Sequence, residues 1–249
     1  YNAVYRASFE EDSTNFITHR DLFMNRMTTV GEWLAENETA VKADFELSSF
    51  QYEVLNRTID CLHQSIDFSY ADRYNSDGMY RGIALRDELM YENLVWLVEE
   101  IFPKKKIIIW GHNAHVDNTQ TFWPGAIDDP SIGRRSTKWM GHFLKEKYKD
   151  DYYSIGLFAY QGKAWQFWTK ESIPFENSDS TYIEKIMRDS VNQITFLNLQ
   201  GVTIDEHNQW LTKMVRATEF ENGGVVEFIP VERFDGILQV EESGATTFE

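Results

Sequence analysis

The run Lys106-Ile107-Ile108-Ile109-Trp110-Gly111, followed at once by His112-Asn113-Ala114-His115-Val116, constrains this chain more than any other stretch. β-Branched residues without polar alternation mark a strand buried on both faces, and such strands belong to parallel sheets covered by helices. The expectation is a strand from Lys106 to Trp110, closed by Gly111, whose missing Cβ permits a sharp exit. Ligands of open α/β sheets bind beyond the carboxyl ends of the strands, so His112 and His115 leave the sheet at its functional edge. If residues 112 to 116 form a helical turn or a tight loop, the two rings share a face; a continued strand would send them to opposite faces. Two converging imidazoles can move a proton near neutral pH, bind an oxyanion or hold a metal.

A chain of 249 residues with 42% hydrophobic and 15% aromatic side chains has material for an ordinary globular core. One α/β domain over residues 1 to 249 is the simplest organisation, with residues 13 to 70 as a helical insertion near the N-terminus. The net charge of −16 repels phosphate backbones, which argues against nucleic acid as a partner. No apolar stretch reaches the length of a membrane span and no signal-like segment opens the chain, so no membrane partner and a cytoplasmic location are expected. The chain starts at Tyr1 without a methionine, which leads us to expect the C-terminal portion of a longer domain. The single cysteine, Cys61, sits in a helical pattern and reads as a small buried hydrophobe.

Helical spacing of Phe16, Phe23, Met27, Val30 and Leu34, then of Leu47, Phe50, Val54, Leu62 and Ile66, predicts two long helices before residue 70. His19 and His63 fall on mixed faces of these and read as surface or satisfied histidines. A polar loop over 72 to 82 leads into a third helix, Ile83 to Phe102, that Pro103 ends. On that helix Arg86, Met90, Asn93 and Leu97 make one stripe, polar at its start and apolar at its end. A helix feeding a parallel strand runs antiparallel to it, which would bring Arg86 to the same edge as the histidines.

Asp117 to Gly133 reads as a long binding loop carrying Trp123, followed by a helix from Ser136 to Tyr148 in which Gly141 is costly unless close packing demands it. His142 beside it is expected to point outward. Tyr152 to Tyr160 and Ala164 to Trp168 read as a hairpin around Gln161-Gly162-Lys163, Thr181 to Gln193 as a helix, and Thr195 to Leu199, Val225 to Ile229 and Phe234 to Val240 as strands. The alternation predicts a largely parallel sheet between helical layers.

No G-x-S-x-G elbow, Walker A loop or G-x-G-x-x-G turn is present. A histidine pair, an arginine and many carboxylates remain, a set that suits activation of water with cationic or neutral donors for an oxyanion. A zinc site built on His112, His115 and Asp117 or a distant carboxylate stays open as an alternative, because the H-x-x-H spacing permits it.

Two stretches resemble a known family. Arg86-Asp87-Glu88-Leu89-Met90-Tyr91-Glu92-Asn93 matches an R-D-x-x-M-x-x-N helix, and Trp110-Gly111-His112-Asn113-Ala114-His115 matches a W-[AG]-H-N-x-H strand exit. Both are features of the erythromycin esterase family, including its members labelled succinoglycan biosynthesis proteins. Met140-Gly141-His142-Phe143-Leu144 and Phe234-Asp235-Gly236-Ile237-Leu238 are lesser echoes, and the resemblance covers about residues 80 to 245.

The resemblance implies a three-layer α/β/α fold with a mostly parallel sheet. It also implies hydrolysis of an ester or macrolide lactone by histidine-activated water, without metal or other cofactor, in a role tied to antibiotic resistance. His112, His115 and Arg86 would be catalytic, with Asn113, Asn93 and Trp123 binding the substrate. The family's N-terminal G-E-x-x-H-G motif has no counterpart here, so a non-catalytic small-molecule or sugar-binding relative is the competing expectation.

Overall fold

The computed structural model describes residues 13–74, 78–122, 136–166, 171–188, 193–220 and 224–244. They fall into two compact units, 1–107 and 108–249. Trp123 and most of the expected binding loop lie outside the described residues.

The first unit is helical. Helices α1 (Ser13–Glu36) and α3 (Ser49–Tyr74) flank the short α2 (Glu38–Asp44). Phe16, near the start of α1, packs on Ile66, near the end of α3; Leu34, near the end of α1, packs with Val41, Tyr52 and Ile59. The two long helices are therefore antiparallel, as their apolar spacing requires. Tyr52 adds a directional tie by donating its hydroxyl to the Leu34 carbonyl at 2.7 Å. Helix α4 (Gly78–Trp96) runs on into a π-helical turn, Leu97–Ile101. Most of the polar segment expected as a loop over 72 to 82 is helical, since α3 reaches Tyr74 and α4 begins at Gly78; 75 to 77 lie outside the described residues. Residues at a helix end need only intermittent apolar contact, so polarity alone did not mark the break.

Lys106 to Trp110 belongs to no strand and forms no ladder with any described strand, and Ile108 is 94% and Trp110 86% exposed. This corrects the expected central strand. β-Branched residues favour extended backbone, but a strand exists only when a neighbour supplies the hydrogen bonds.

The second unit is built on β3 (Ile155–Gln166), β4 (Glu171–Glu176), β5 (Ile194–Asn198) and β8 (Gly236–Ser243), in the order β4-β3-β8-β5. Strands β3 and β8 are parallel, with Leu157 opposite Leu238; β4 on β3 and β5 on β8 are antiparallel. This described sheet is mixed rather than mostly parallel. The connection between β3 and β4, residues 167 to 170, is far too short for a parallel crossover. Two-residue alternation along β3 turns Phe158 and Tyr160 inward, and the antiparallel pair β6 (Val215–Phe220) and β7 (Gly224–Phe228) packs on Phe158, while Arg188 lies over the Tyr160 ring. Phe158 stacks on Phe228 with ring centroids 5.8 Å apart, and Phe234 meets both rings edge-on.

Three local expectations change. β3 passes straight through Gln161-Gly162-Lys163, and its antiparallel partner is β4 rather than Ala164 to Trp168. Gly162 tolerates this because it sits at φ +149° against the Ser243 backbone, a conformation closed to side chains with a Cβ. Of the helix expected from Thr181 to Gln193, the described residues form only α7 (Ile183–Ile186), and 189 to 192 lie outside the described residues. Ser136–Lys138 is a strand, β2, paired with β1 (Gln120–Phe122), and helix α6 starts later, at Met140, and ends at Tyr148. No described helix is long and apolar enough to cross a membrane.

Candidate active site

The two histidines sit on one turn. Helix α5 is only Asn113–Val116, with His112 as its N-cap: the His112 Nδ1 accepts the Ala114 N–H at 3.2 Å, and the His115 N–H bonds the His112 carbonyl at 2.9 Å. A side chain that accepts from the first turn satisfies one of the amides a helix start leaves open. The rings meet nearly perpendicular with centroids 6.4 Å apart. His112 is exposed and His115 half-buried, its ring edge-on to the buried Trp139 at 5.6 Å. The structure thus places the pair on one face, as the i, i+3 spacing predicts.

A four-residue helix has little stability of its own, so its orientation must come from what holds it. The buried Asn113 carboxamide bonds Leu157 of β3 at both ends: Nδ2 donates to the Leu157 carbonyl and Oδ1 accepts the Leu157 N–H, each at 2.8 Å. That engagement differs from the substrate contact expected of Asn113. At the other end of the turn, the Tyr152 hydroxyl donates to the Val116 carbonyl at 3.0 Å. Burial foremost, then the charges of Asp235 and Asp117, push the Tyr152 phenol well above its ordinary value, so it stays a proton donor.

Asp117 follows immediately and is wholly buried. One carboxylate oxygen takes the Arg233 Nε at 2.5 Å; the other takes the Thr119 N–H and hydroxyl, both at 2.7 Å. Arg233 comes from helix α8 (Pro230–Arg233), and its guanidinium lies over the Phe228 and Phe234 rings at 4.6 and 5.1 Å. These bonds engage both oxygens of Asp117 inside the protein. Among the described residues no group of three or more His, Cys, Asp or Glu side chains is gathered to hold a metal ion.

Gly141 is where close packing demands it. A Cβ there would lie 2.6 Å from the carbonyl oxygens of Val116 and Asp117, so α6 presses directly on the backbone of the histidine turn. His142, expected to face outward, has only 15% of its side chain exposed. Its Nδ1 lies 3.3 Å from the Asn118 carbonyl, and its Nε2 lies 3.4 Å from the Glu146 carboxylate without hydrogen-bond geometry. Its helix face turns toward residues 116 to 118 because Gly141 lets the helix approach.

A second carboxylate that sequence reasoning passed over is Asp235. It receives Lys145 at 2.8 Å, the Ser154 N–H at 3.0 Å, and the side chains of Asn118 and Gln200, both at 3.2 Å. Burial alone would raise its carboxyl, but these bonds outweigh burial and hold it below the usual range. Its only sequence signal was the Phe234-Asp235-Gly236 echo. A shallow groove lined by Gln161, Lys163, Phe175, Glu176 and Glu242 lies farther along β3 and contains neither histidine.

In the first unit, Arg86 and Asn93 lie on α4. The Arg86 guanidinium is 3.4 Å from the fully buried Asp87 carboxylate and keeps 40% of its side chain exposed. Asn93 is tied between helices: Oδ1 accepts Arg57 Nε at 2.7 Å and faces Cys61 Sγ at 3.5 Å, while Nδ2 donates to Gln64 at 3.0 Å. Cys61 is thus half-buried beside an amide rather than a plain core residue.

The erythromycin esterase family model matches residues 4–243, through both units. The chain belongs to the erythromycin esterase family. The match also takes in the helices before residue 80, which the two motifs do not reach. YbfO of Bacillus subtilis (strain 168), whose name proposes a hydrolase, is 27% identical over 165 residues, covering 63% of this chain and 34% of that protein. Erythromycin esterase type II of Escherichia coli is 23% identical over 178 residues, covering 68% of this chain and 39% of that one. The chain thus spans about a third of the length of these curated relatives. The fold is similar to that of a mutant of the erythromycin esterase EreC in its open conformation. There the TM-score is 0.62 at 17% identity, covering 97% of this chain and 57% of that one.

Proposed function

We propose that this family member is a hydrolase that cleaves an ester or macrolide lactone by histidine-activated water. The observation that carries the reading is the His112–His115 pair on one braced turn, with both rings accessible, inside a family match. The local hydrogen bond divides the roles. His112 accepts the Ala114 N–H at Nδ1, so in its neutral form the ring proton sits on Nε2, which makes it a donor to a developing oxyanion. His115, held edge-on by Trp139, is then the base that takes the proton of the attacking water. Arg86, on α4 of the first unit, is a candidate catalytic residue on the strength of the family motif alone. Asn93, tied between helices, fits a mounting role better than a substrate contact. The three-layer arrangement and a small-molecule substrate belong to the same proposal and rest on the family match.

The test is hydrolysis of an aryl ester, a macrolide lactone and an acylated sugar by the gene product that carries this chain, before and after chelation. Turnover of the first two, undiminished by the chelator, is expected. Saturable binding of the macrolide or the sugar with no turnover would instead favour the non-catalytic relative. Activity lost to the chelator and restored by zinc would favour the metallohydrolase.

A further inference from the structure

We infer that Asn113 is a positioning residue: its carboxamide stands in for a neighbouring strand on the edge of β3 and so mounts the His112–His115 turn on the sheet. The consequence for catalysis rests on the hydrolase reading, while the mounting itself rests on geometry alone.

A strand edge leaves N–H and C=O groups in need of partners. On β3 the ladder to β4 begins only at Gln161, and Asn177, just past β4, takes the Tyr160 carbonyl with its N–H and the Ala159 carbonyl with its side chain, so the edge over Ile155 to Phe158 is not served by that strand. Leu157, in the middle of this stretch, turns both its N–H and its C=O to Asn113. A primary amide has one donor face and one acceptor face side by side, which is the set a peptide unit of an adjoining strand would offer. Asn113 is 9% exposed, and turning its carboxamide toward a substrate would break both bonds and leave the Leu157 groups unpaired.

Asn113 is also the first residue of α5, between the two histidines in sequence. Its loss removes the anchor at the start of the turn while Tyr152 and the Asp117–Arg233 pair still hold the end. The rings would then shift without the unit coming apart, and a displacement of about 1 Å costs on the order of 100-fold in rate.

The experiment compares wild type with Asn113→Ala and Asn113→Asp, the second keeping an acceptor for the Leu157 N–H. Aryl-ester kcat and KM are measured beside the histidine ring signals in long-range 1H–15N spectra, with the exposed His207 as internal reference. A positioning role predicts that kcat falls roughly 10- to 100-fold with KM within about twofold. The His112 and His115 signals should move while those of His207 stay. A raised KM with unchanged kcat would make Asn113 a substrate contact and overturn the inference, as would unmoved signals with unmoved kcat. If the wild type hydrolyses nothing, the hydrolase reading fails and the ring signals alone decide the mounting. If neither variant folds, the amide is a general anchor of the fold and the local role assigned to it is wrong.

Discussion

The helix motif around Arg86 and the strand-exit motif around His112 divide their labour in the same way, although one lies on a long helix and the other on a four-residue turn. In each, an ionisable group keeps some exposure: Arg86 on α4, His112 and His115 on α5. In each, the asparagine spends its amide inside the protein, Asn93 on Arg57 and Gln64, Asn113 on the Leu157 backbone. The difference lies in what each mount stabilises. Helix α4 has 19 residues and would persist without Asn93, whereas α5 depends on its anchors. A motif asparagine therefore informs on stability in one place and on the placement of the histidine turn in the other.

The largest effect on folding should come from the far anchor of the turn. Asp117→Ala leaves Arg233 buried without its carboxylate, and breaking such a pair costs about 3–5 kcal/mol. Urea unfolding of the purified variant checks this; a loss below about 1 kcal/mol would show that the turn does not depend on the pair. Gly141→Ala drives a methyl into the Val116 and Asp117 carbonyls, and overpacking of this kind costs about 1–3 kcal/mol. Thermal melts with kcat measured on the folded fraction separate the two consequences. Both stability and kcat should fall, because α6 presses on the histidine turn itself.

Asn93→Ala should lower stability by about 1–2 kcal/mol through the two lost side-chain bonds, with kcat changing less than in Asn113→Ala. A collapse of kcat at full stability would erase the contrast between the two asparagines. The smallest effect is one of pH. Asp235 titrates below its ordinary value in the folded protein, so its contribution is present above the ordinary carboxylate range and is lost as pH falls through the lower folded value. Asp235→Asn should therefore flatten the acid limb of the stability curve, measured by urea midpoints from pH 7 down to pH 3. An unchanged limb would assign acid sensitivity to other carboxylates.

Much of the fold was legible where a periodicity was long: α1, α3 and α4 follow their apolar spacing, β5 and β7 fall within a residue of the runs that predicted them, and β8 overlaps its run but starts two residues later and ends three residues beyond it. The misreadings share a cause, which is that the partner of an element is not written in the element. Ile107 to Trp110 has the composition of a central strand and no described neighbour to make it one. Gly162 looked like a turn because glycine usually is, and only the Ser243 backbone beside it shows that it permits close approach instead. At the site, the i, i+3 spacing sufficed to put the histidines on one face. Their supports were not legible, since Asn113 to Leu157 spans 44 residues and Asp117 to Arg233 spans 116, and no local pattern records such bonds.

The most direct test of the account is the rate of aryl-ester hydrolysis by His115→Gln and His112→Gln beside wild type, with folding verified by the melting temperature. Glutamine can still donate a hydrogen bond but cannot take a proton from water at neutral pH. The account predicts that His115→Gln loses on the order of 10²- to 10⁴-fold in kcat, the usual contribution of a positioned general base, and that His112→Gln keeps a larger part of its activity. Equal, wild-type rates in both folded variants would show that neither imidazole takes part, and would contradict the assignment of this turn as the active site.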